Sequence, residues 1–268
     1  MQLTYYWITI TTHLSNRIIK MNTTFRYSMM FTSLFLSAHL MAADDGHWNY
    51  GEGKNGPAHW GELDKKFAAC SAGKSQSPVN LTGMIEGQLP EIKFNYQMGG
   101  ELILNNGHTI QVNYKAGSSI TLSGNTFELK QFHFHAPSEN TILNKSFPLE
   151  AHFVHADKDG NLAVVAVMFE EGAKNIELEK AWNRMPEKAD ERQPLFIHVD
   201  ANKLMPVLRD YYRFNGSLTT PPCSEGVWWL VLKTPATASK EQFEKFSHVL
   251  QHPNNRPVQP INARMIVQ

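Results

Sequence analysis

Gln131-Phe132-His133-Phe134-His135 is the stretch that most narrows what this chain can fold into. Side chains on a β-strand alternate between faces, so residues two apart point the same way. Gln131, His133 and His135 therefore share one face, and Phe132 and Phe134 share the other. The phenyl rings demand a hydrophobic core, while the two imidazoles stand about 7 Å apart along the strand. At that spacing both rings can tilt toward one ion.

Glu150-Ala151-His152-Phe153-Val154 is a second alternating run, with Glu150 and His152 on one face. Between the runs lie Pro137, Asn140, Asn144, Lys145 and Pro148, enough turn chemistry to bring the chain back. An antiparallel return places His152 beside the first pair. Three neutral imidazoles with an open fourth position describe catalytic zinc, whereas structural sites close with four protein ligands. A His-x-His pair alone says less. It also serves as a hydrogen-bonded pair, and it occurs in cupins and metal-dependent amidohydrolases. Gln131 and Glu150 add weight because each lies two residues before a candidate ligand on the same face. Metal-bound histidines pass their other N–H to such groups. A carboxylate facing a core needs a donor in any case.

The first 43 of the 268 residues read as a leader rather than as fold. Arg17, Lys20 and Arg26 are their only charges, and an apolar run from Met29 to Leu40 ends at Ala42-Ala43 before Asp44-Asp45. A basic start, a short apolar core and a small-residue exit form a secretory signal, with Met21 an alternative start. The run is shorter than the roughly 20 residues of a transmembrane helix, so no membrane anchor is expected. Residues 44–268 carry 22 Lys+Arg against 25 Asp+Glu, without the basic clusters that bind nucleic acid. Their length fits one domain. Export into an oxidising compartment, most simply the periplasm of a Gram-negative bacterium, favours a disulfide between the two cysteines, Cys70 and Cys223; two separate buried thiols are the alternative.

From Asp44 to Pro90 the chain lacks periodicity and reads as an ordered wrap carrying Trp48, Tyr50 and Trp60. Alternating segments follow at Glu101–Leu104, Thr109–Tyr114, Ser119–Leu122 and Phe127–His135, separated by Gly and Asn turns. Leu162–Phe169 is almost wholly apolar, as a central strand covered on both faces would be. Asn175 caps one helix with Leu178, Trp182 and Met185 inward. Ser239 and Gln242 form the capping box of another that buries Phe243, Phe246 and Leu250. The expected fold is mainly β (α+β), a single domain built on a large, mostly antiparallel twisted central sheet with peripheral helices.

With Ser217-Leu218-Thr219-Thr220-Pro221-Pro222-Cys223 and Ser138-Glu139-Asn140-Thr141-Ile142 added, the sequence resembles the α-class carbonic anhydrases, in a bacterial form. The likeness runs from about Trp48 to Val267 and includes Gln76-Ser77-Pro78-Val79 and Phe147. It implies zinc on His133, His135 and His152, with water or hydroxide in the fourth position, and reversible hydration of carbon dioxide to bicarbonate and a proton. Gln131 and Glu150 would orient His133 and His152, and the Asn254 carbonyl would orient His135. Thr219, hydrogen-bonded to Glu139, would aim the nucleophile. Val154, Val164, Leu218, Val227 and Trp229 match the pocket for carbon dioxide. His108 matches the proton shuttle, and Tyr50, Asn106, Gln111 and Thr220 match positions that order the intervening waters.

The sequence departs from animal members at Gln111, often asparagine there, at Asn255, where they have tryptophan, and at Ala136-Pro137, where they have Trp-Gly. Ester hydrolysis is an expected side activity. The competing readings are a catalytically silent binding module and a periplasmic zinc-binding protein, neither of which requires the Thr219–Glu139 pair. The expected partner is the carbon dioxide/bicarbonate pair, with the chain a monomer or homodimer.

Overall fold

The alternating runs become strands because each has an apolar and a polar face to divide between a core and a site. The computed structural model describes residues 47–268; the expected leader, residues 1–43 with Met21, lies outside the described residues. In chain order the elements are α1 (Trp60–Leu63), a 3-10 turn (Lys65–Phe67), α2 (Ala69–Ala72), β1 (Asn80–Leu81), β2 (Lys93–Asn95), β3 (Gly100–Asn105), β4 (Ile110–Tyr114), β5 (Ser119–Leu122) and β6 (Asn125–His135). Then come β7 (Thr141–Ile142), β8 (Leu149–Ala156), β9 (Leu162–Glu171), α3 (Ile176–Trp182), β10 (Arg192–Val199), α4 (Ala201–Leu204), β11 (Tyr211–Ser217), β12 (Glu225–Leu232), β13 (Ala236–Ala238) and α5 (Lys240–Leu250).

One eleven-stranded sheet runs β10-β3-β4-β6-β8-β9-β12-β11, with β2, β5 and β13 branching from it. Its pairings are antiparallel except where β12 and β13 lie parallel to β9. The expected mostly antiparallel sheet is therefore present. The strands β1, β2, β7 and β10 to β13 lie outside the segments expected from alternation, and the short helices α1 and α2 lie within the N-terminal wrap.

Register decides which residues meet. On one face, a row crosses the sheet as Gln111, His133, His152, Ala166 and Val231. The adjacent row is Asn113, Gln131, Val154, Val164 and Trp229. A third pairs His135 with Glu150 and then Met168. The opposite face holds Phe132, Phe134, Phe153, Val165 and Val167, all fully buried in the larger core. At about 1.5–3 kcal/mol for each large apolar side chain taken from water, this face supplies the stronger drive to fold. The imidazoles are placed as a consequence.

A bulge makes that division possible on β6. Phe127 and Leu129 are buried, and then Phe132 and Phe134, so the buried parity changes midway. Pairing with β8 shifts between Leu129 and Gln131, and the extra residue is the exposed Lys130. Without it, the histidines and phenylalanines would trade faces relative to the first half of the strand.

Both expected helices form and pack behind the sheet, away from the imidazoles. The Asn175 side chain accepts from Glu177 N and Leu178 N at the start of α3. Gln242 Oε1 accepts from Ser239 N in the capping box of α5. Trp182 stacks on Phe246 and meets Phe134 edge-on, tying both helices to the back of β6.

Candidate metal centre

β6 and β8 bring His133 and His152 directly opposite each other, with His135 two residues along. One ring nitrogen from each lies within 4.8 Å of the other two. What points the rings inward is a partner for each on the outer side. His133 Nδ1 donates to Gln131 Oε1 at 2.9 Å. His135 Nδ1 donates to the Asn254 carbonyl at 2.7 Å. His152 Nε2 lies 2.9 Å from Glu150 Oε1, a short contact that is bent for a hydrogen bond. The nitrogens left to converge are Nε2 of His133, Nε2 of His135 and Nδ1 of His152. Gln131 lies beside His133, the Asn254 carbonyl beside His135 and Glu150 beside His152.

Glu150 is fully buried, and its demand for donors is met. Oε2 accepts from the backbone N–H groups of Glu139 and Asn140, and Oε1 accepts from Asn140 Nδ2. Burial raises its pKa, and these donors oppose the rise. Asn254 does further work with its side chain. Its Nδ2 donates to the carbonyls of His108 and Phe134, and its Oδ1 accepts from Ala136 N. One asparagine therefore holds the end of β6 and the β3–β4 turn together.

Glu139 sits beneath the cluster, with Oε2 3.5 Å from His135 Nε2 and 3.9 Å from His152 Nδ1. Burial raises its pKa well above the usual carboxylate range, opposed by the Arg256 backbone N–H and by hydrogen bonding from the Thr219 side chain. Burial also lowers the pKa of all three histidines, so the rings are held neutral, as metal ligands must be.

Buried polar atoms rarely lack a partner. His135 Nε2 and Glu139 Oε2 both do, on the side where the rings converge. Three neutral nitrogens and no thiolate fit a divalent metal with an open coordination position, the zinc type of donor set.

Beside the imidazoles, Val154, Val164, Leu218, Val227 and Trp229 belong to one apolar cluster, and the Trp229 ring stands 4.8 Å from that of His152. Leu218 and Thr219 come from the loop after β11. Ser217 and Ser77 brace that loop, each hydroxyl accepting the other's backbone N–H. Trp229 Nε1 donates to the Ser217 carbonyl, and Cys223 is bridged to Cys70, as expected.

The expected proton-path residues are more dispersed in their bonding. The His108 ring stacks on Trp48 at 3.7 Å and lies 6.5 Å from Tyr50. Asn106 Oδ1 accepts from His108 N and Thr109 N, closing the turn. Gln111 faces His133 across the pairing and donates to Asn113 Oδ1. Thr220 accepts the Cys223 N–H through its carbonyl.

Arg256 is the residue that sequence reasoning missed. It is 1% exposed; Nη1 donates to Gln76 Oε1 and the Ser77 carbonyl, and Nη2 donates to the Cys70 carbonyl. Its backbone N–H donates to Glu139 Oε1 at 2.8 Å. An arginine between Asn255 and Pro257 carries no pattern that would mark it as buried.

Fold and centre together define a metal-dependent enzyme with three imidazole ligands beside an apolar pocket. A family model described as eukaryotic-type carbonic anhydrase matches residues 55–268. A carbonic anhydrase of Pectobacterium atrosepticum is 48% identical over 243 residues, covering 91% of this chain and 98% of that protein. One from Pectobacterium carotovorum is 51% identical over 226 residues, covering 84% and 92%. The solved α-carbonic anhydrase of Thermovibrio ammonificans superposes with a TM-score of 0.81 at 48% identity, covering 83% of this chain and 99% of that one. The chain belongs to the carbonic anhydrase family, lyases that act on carbon dioxide and bicarbonate.

Proposed function

We propose that this chain catalyses the reversible hydration of carbon dioxide to bicarbonate and a proton, with zinc held by His133, His135 and His152. The observation that carries the reading is the convergence of three outward-anchored, neutral imidazoles beside an apolar cluster. Zinc bound by neutral ligands supplies a water acidified to a pKa of about 7, the value known for this family. Everything else is the work of the chain. Thr219 accepts a hydrogen bond from the attacking oxygen and donates its own to Glu139, which aims a lone pair at the substrate. The Thr219 backbone N–H receives the oxygen that gains charge. Val154, Val164, Leu218, Val227 and Trp229 hold carbon dioxide, a substrate that needs no charged clamp.

The proton then leaves through waters ordered by Tyr50, Asn106, Gln111 and Thr220 to His108. Stacked on Trp48, His108 has a pKa lowered to about 4, by burial first and then by the charges of His47 and His252. A shuttle works best near the operating pH. Our reading therefore has the ring leave the stack for water, where its pKa returns toward 6.5. Ester hydrolysis by the same centre is a side activity. Residues 44–268 form the catalytic domain, residues 1–43 direct export to the periplasm, and the disulfide accords with that compartment.

Stopped-flow carbon dioxide hydration, before and after removal of metal by a chelator, tests the reading. Activity should vanish with the metal and return with zinc, and His152→Ala should neither bind zinc fully nor turn over. Undiminished hydration by protein shown metal-free would overturn it.

A further inference from the structure

Thr219 and Glu139 come from elements far apart in the chain, and Arg256 ties both into one frame. Its Nη1 donates to Gln76 Oε1 at 2.9 Å and to the Ser77 carbonyl at 2.7 Å, and its Nη2 donates to the Cys70 carbonyl at 2.9 Å. Each of these three residues is itself joined to the loop that carries Thr219. The Ser77 and Ser217 hydroxyls each accept the other's backbone N–H, Gln76 Nε2 donates to the Cys223 carbonyl, and Cys70 is bridged to Cys223. The loop is thus gripped before and after Thr219. From the same arginine, the backbone N–H donates to Glu139 Oε1 at 2.8 Å, while the backbone N–H groups of Glu139 and Asn140 are held by Glu150.

An arginine is a costly choice here for packing alone. Arg256 is 1% exposed, and its guanidinium hydrogen bonds reach only uncharged acceptors among the described residues. Burial lowers its pKa to about 10, with the charges of Glu139 and Tyr50 opposing the fall, so it remains charged at neutral pH. A buried charge without a paired carboxylate destabilises a fold that an apolar side chain of similar volume would fill at less cost. What the site uses is the planar fork. Two nitrogens reach oxygens of Cys70, Gln76 and Ser77 at once, with the Trp60 ring 5.6 Å from the guanidinium carbon. A lysine would carry the charge without the fork.

We propose that Arg256 is a positioning residue for the hydration reaction: its guanidinium fork and its backbone N–H together fix Thr219 against Glu139, so that the threonine hydroxyl meets the attacking oxygen. The role in turnover rests on the reading of Thr219 and Glu139 as the pair that aims the nucleophile; the frame itself stands on the hydrogen bonds of Arg256.

The test compares Arg256→Lys with wild type, alone and combined with Thr219→Ala, in the zinc-loaded full chain. Arg256→Lys should lower kcat/KM for carbon dioxide hydration by about 10- to 100-fold, the scale of an ångström misplacement, with zinc kept at one per chain. In the Thr219→Ala background the same change should cost less than about 3-fold, because the hydroxyl it positions is already gone. Hydrogen exchange read by mass spectrometry is independent of activity. Arg256→Lys should speed exchange in segments 138–140 and 217–223 and leave β6 and β8 as in wild type. Should Arg256→Lys not fold, Gln76→Ala removes one anchor with the arginine in place and should show the same pattern more weakly. Equal losses of kcat/KM in both backgrounds, zinc falling in step with activity, or exchange unchanged in either segment overturns the proposal. Fully zinc-loaded wild type that fails to hydrate carbon dioxide overturns the reading of the reaction, and the exchange result then decides the frame alone.

Discussion

Thr219 and His108 differ in what their surroundings permit. Thr219 is 5% exposed, on a loop tied down by Ser77, Trp229 and the disulfide. A hydroxyl held this way has little freedom and can orient a nucleophile without reorganising. Thr219→Ala should lower kcat/KM by about 100-fold, the scale for losing one preorganised donor. Zinc content should stay at one per chain; a parallel fall in zinc would make Thr219 a support of the metal rather than of the reaction. His108 is half-buried and held by stacking alone. His108→Ala should lose kcat in dilute buffer while keeping kcat/KM, and added imidazole should restore the loss by carrying the proton itself. An unchanged kcat would mean that the proton leaves another way.

β8 carries a ligand on one face and a second histidine on the other. His152 faces the centre, whereas His155 is fully buried, donating from Nδ1 to the Ala163 carbonyl on β9 and accepting from Tyr96 Oη at Nε2. Burial lowers the His155 pKa from 6.5 to about 4. The unfolded chain then binds the extra proton first as pH falls. Stability contributed by the neutral ring is complete above about pH 6.5 and is lost progressively down to about pH 4. The loss amounts to about 3 kcal/mol at 1.36 kcal/mol per unit. Urea unfolding of metal-free protein at pH 7 and pH 4.5 should show a smaller drop for His155→Gln than for wild type. Equal drops would place the acid sensitivity elsewhere. Among the described residues, no helix is long and apolar enough to cross a membrane.

At the scale of the molecule, the disulfide joins residues 153 apart in sequence. It clamps the wrap that holds Trp48, Tyr50 and Trp60 to the loop that holds Thr219. Arg256 reinforces the same junction through Gln76, Ser77 and Cys70. For a loop of that length the chain-entropy estimate is about 5 kcal/mol. Reduction should lower the Tm by roughly 10–20 °C in a domain of this size, measured by calorimetry with and without reductant. An unchanged Tm would mean that the clamp contributes nothing beyond the packing around it.

Local pattern was enough to read β3 to β6, β8 and β9, both capped helices and the Gln131–His135 motif, because alternation and capping are properties of neighbouring residues. The imidazole convergence was legible for the same reason: the spacing inside β6 and β8 puts each donor on a known face. What local pattern could not reach was how β8 registers against β9 and β12, which sets Trp229 in the row beside His152. Nor could it show the Lys130 bulge that keeps the phenyl rings in the core and the histidines at the centre. Arg256 depends on contacts with Gln76 and Cys70, 180 and 186 residues away in sequence. Sequence alone determined which side chains could bind a metal. Tertiary structure decided which of them meet, because long-range register and packing, unlike alternation, are not written in any short stretch of chain.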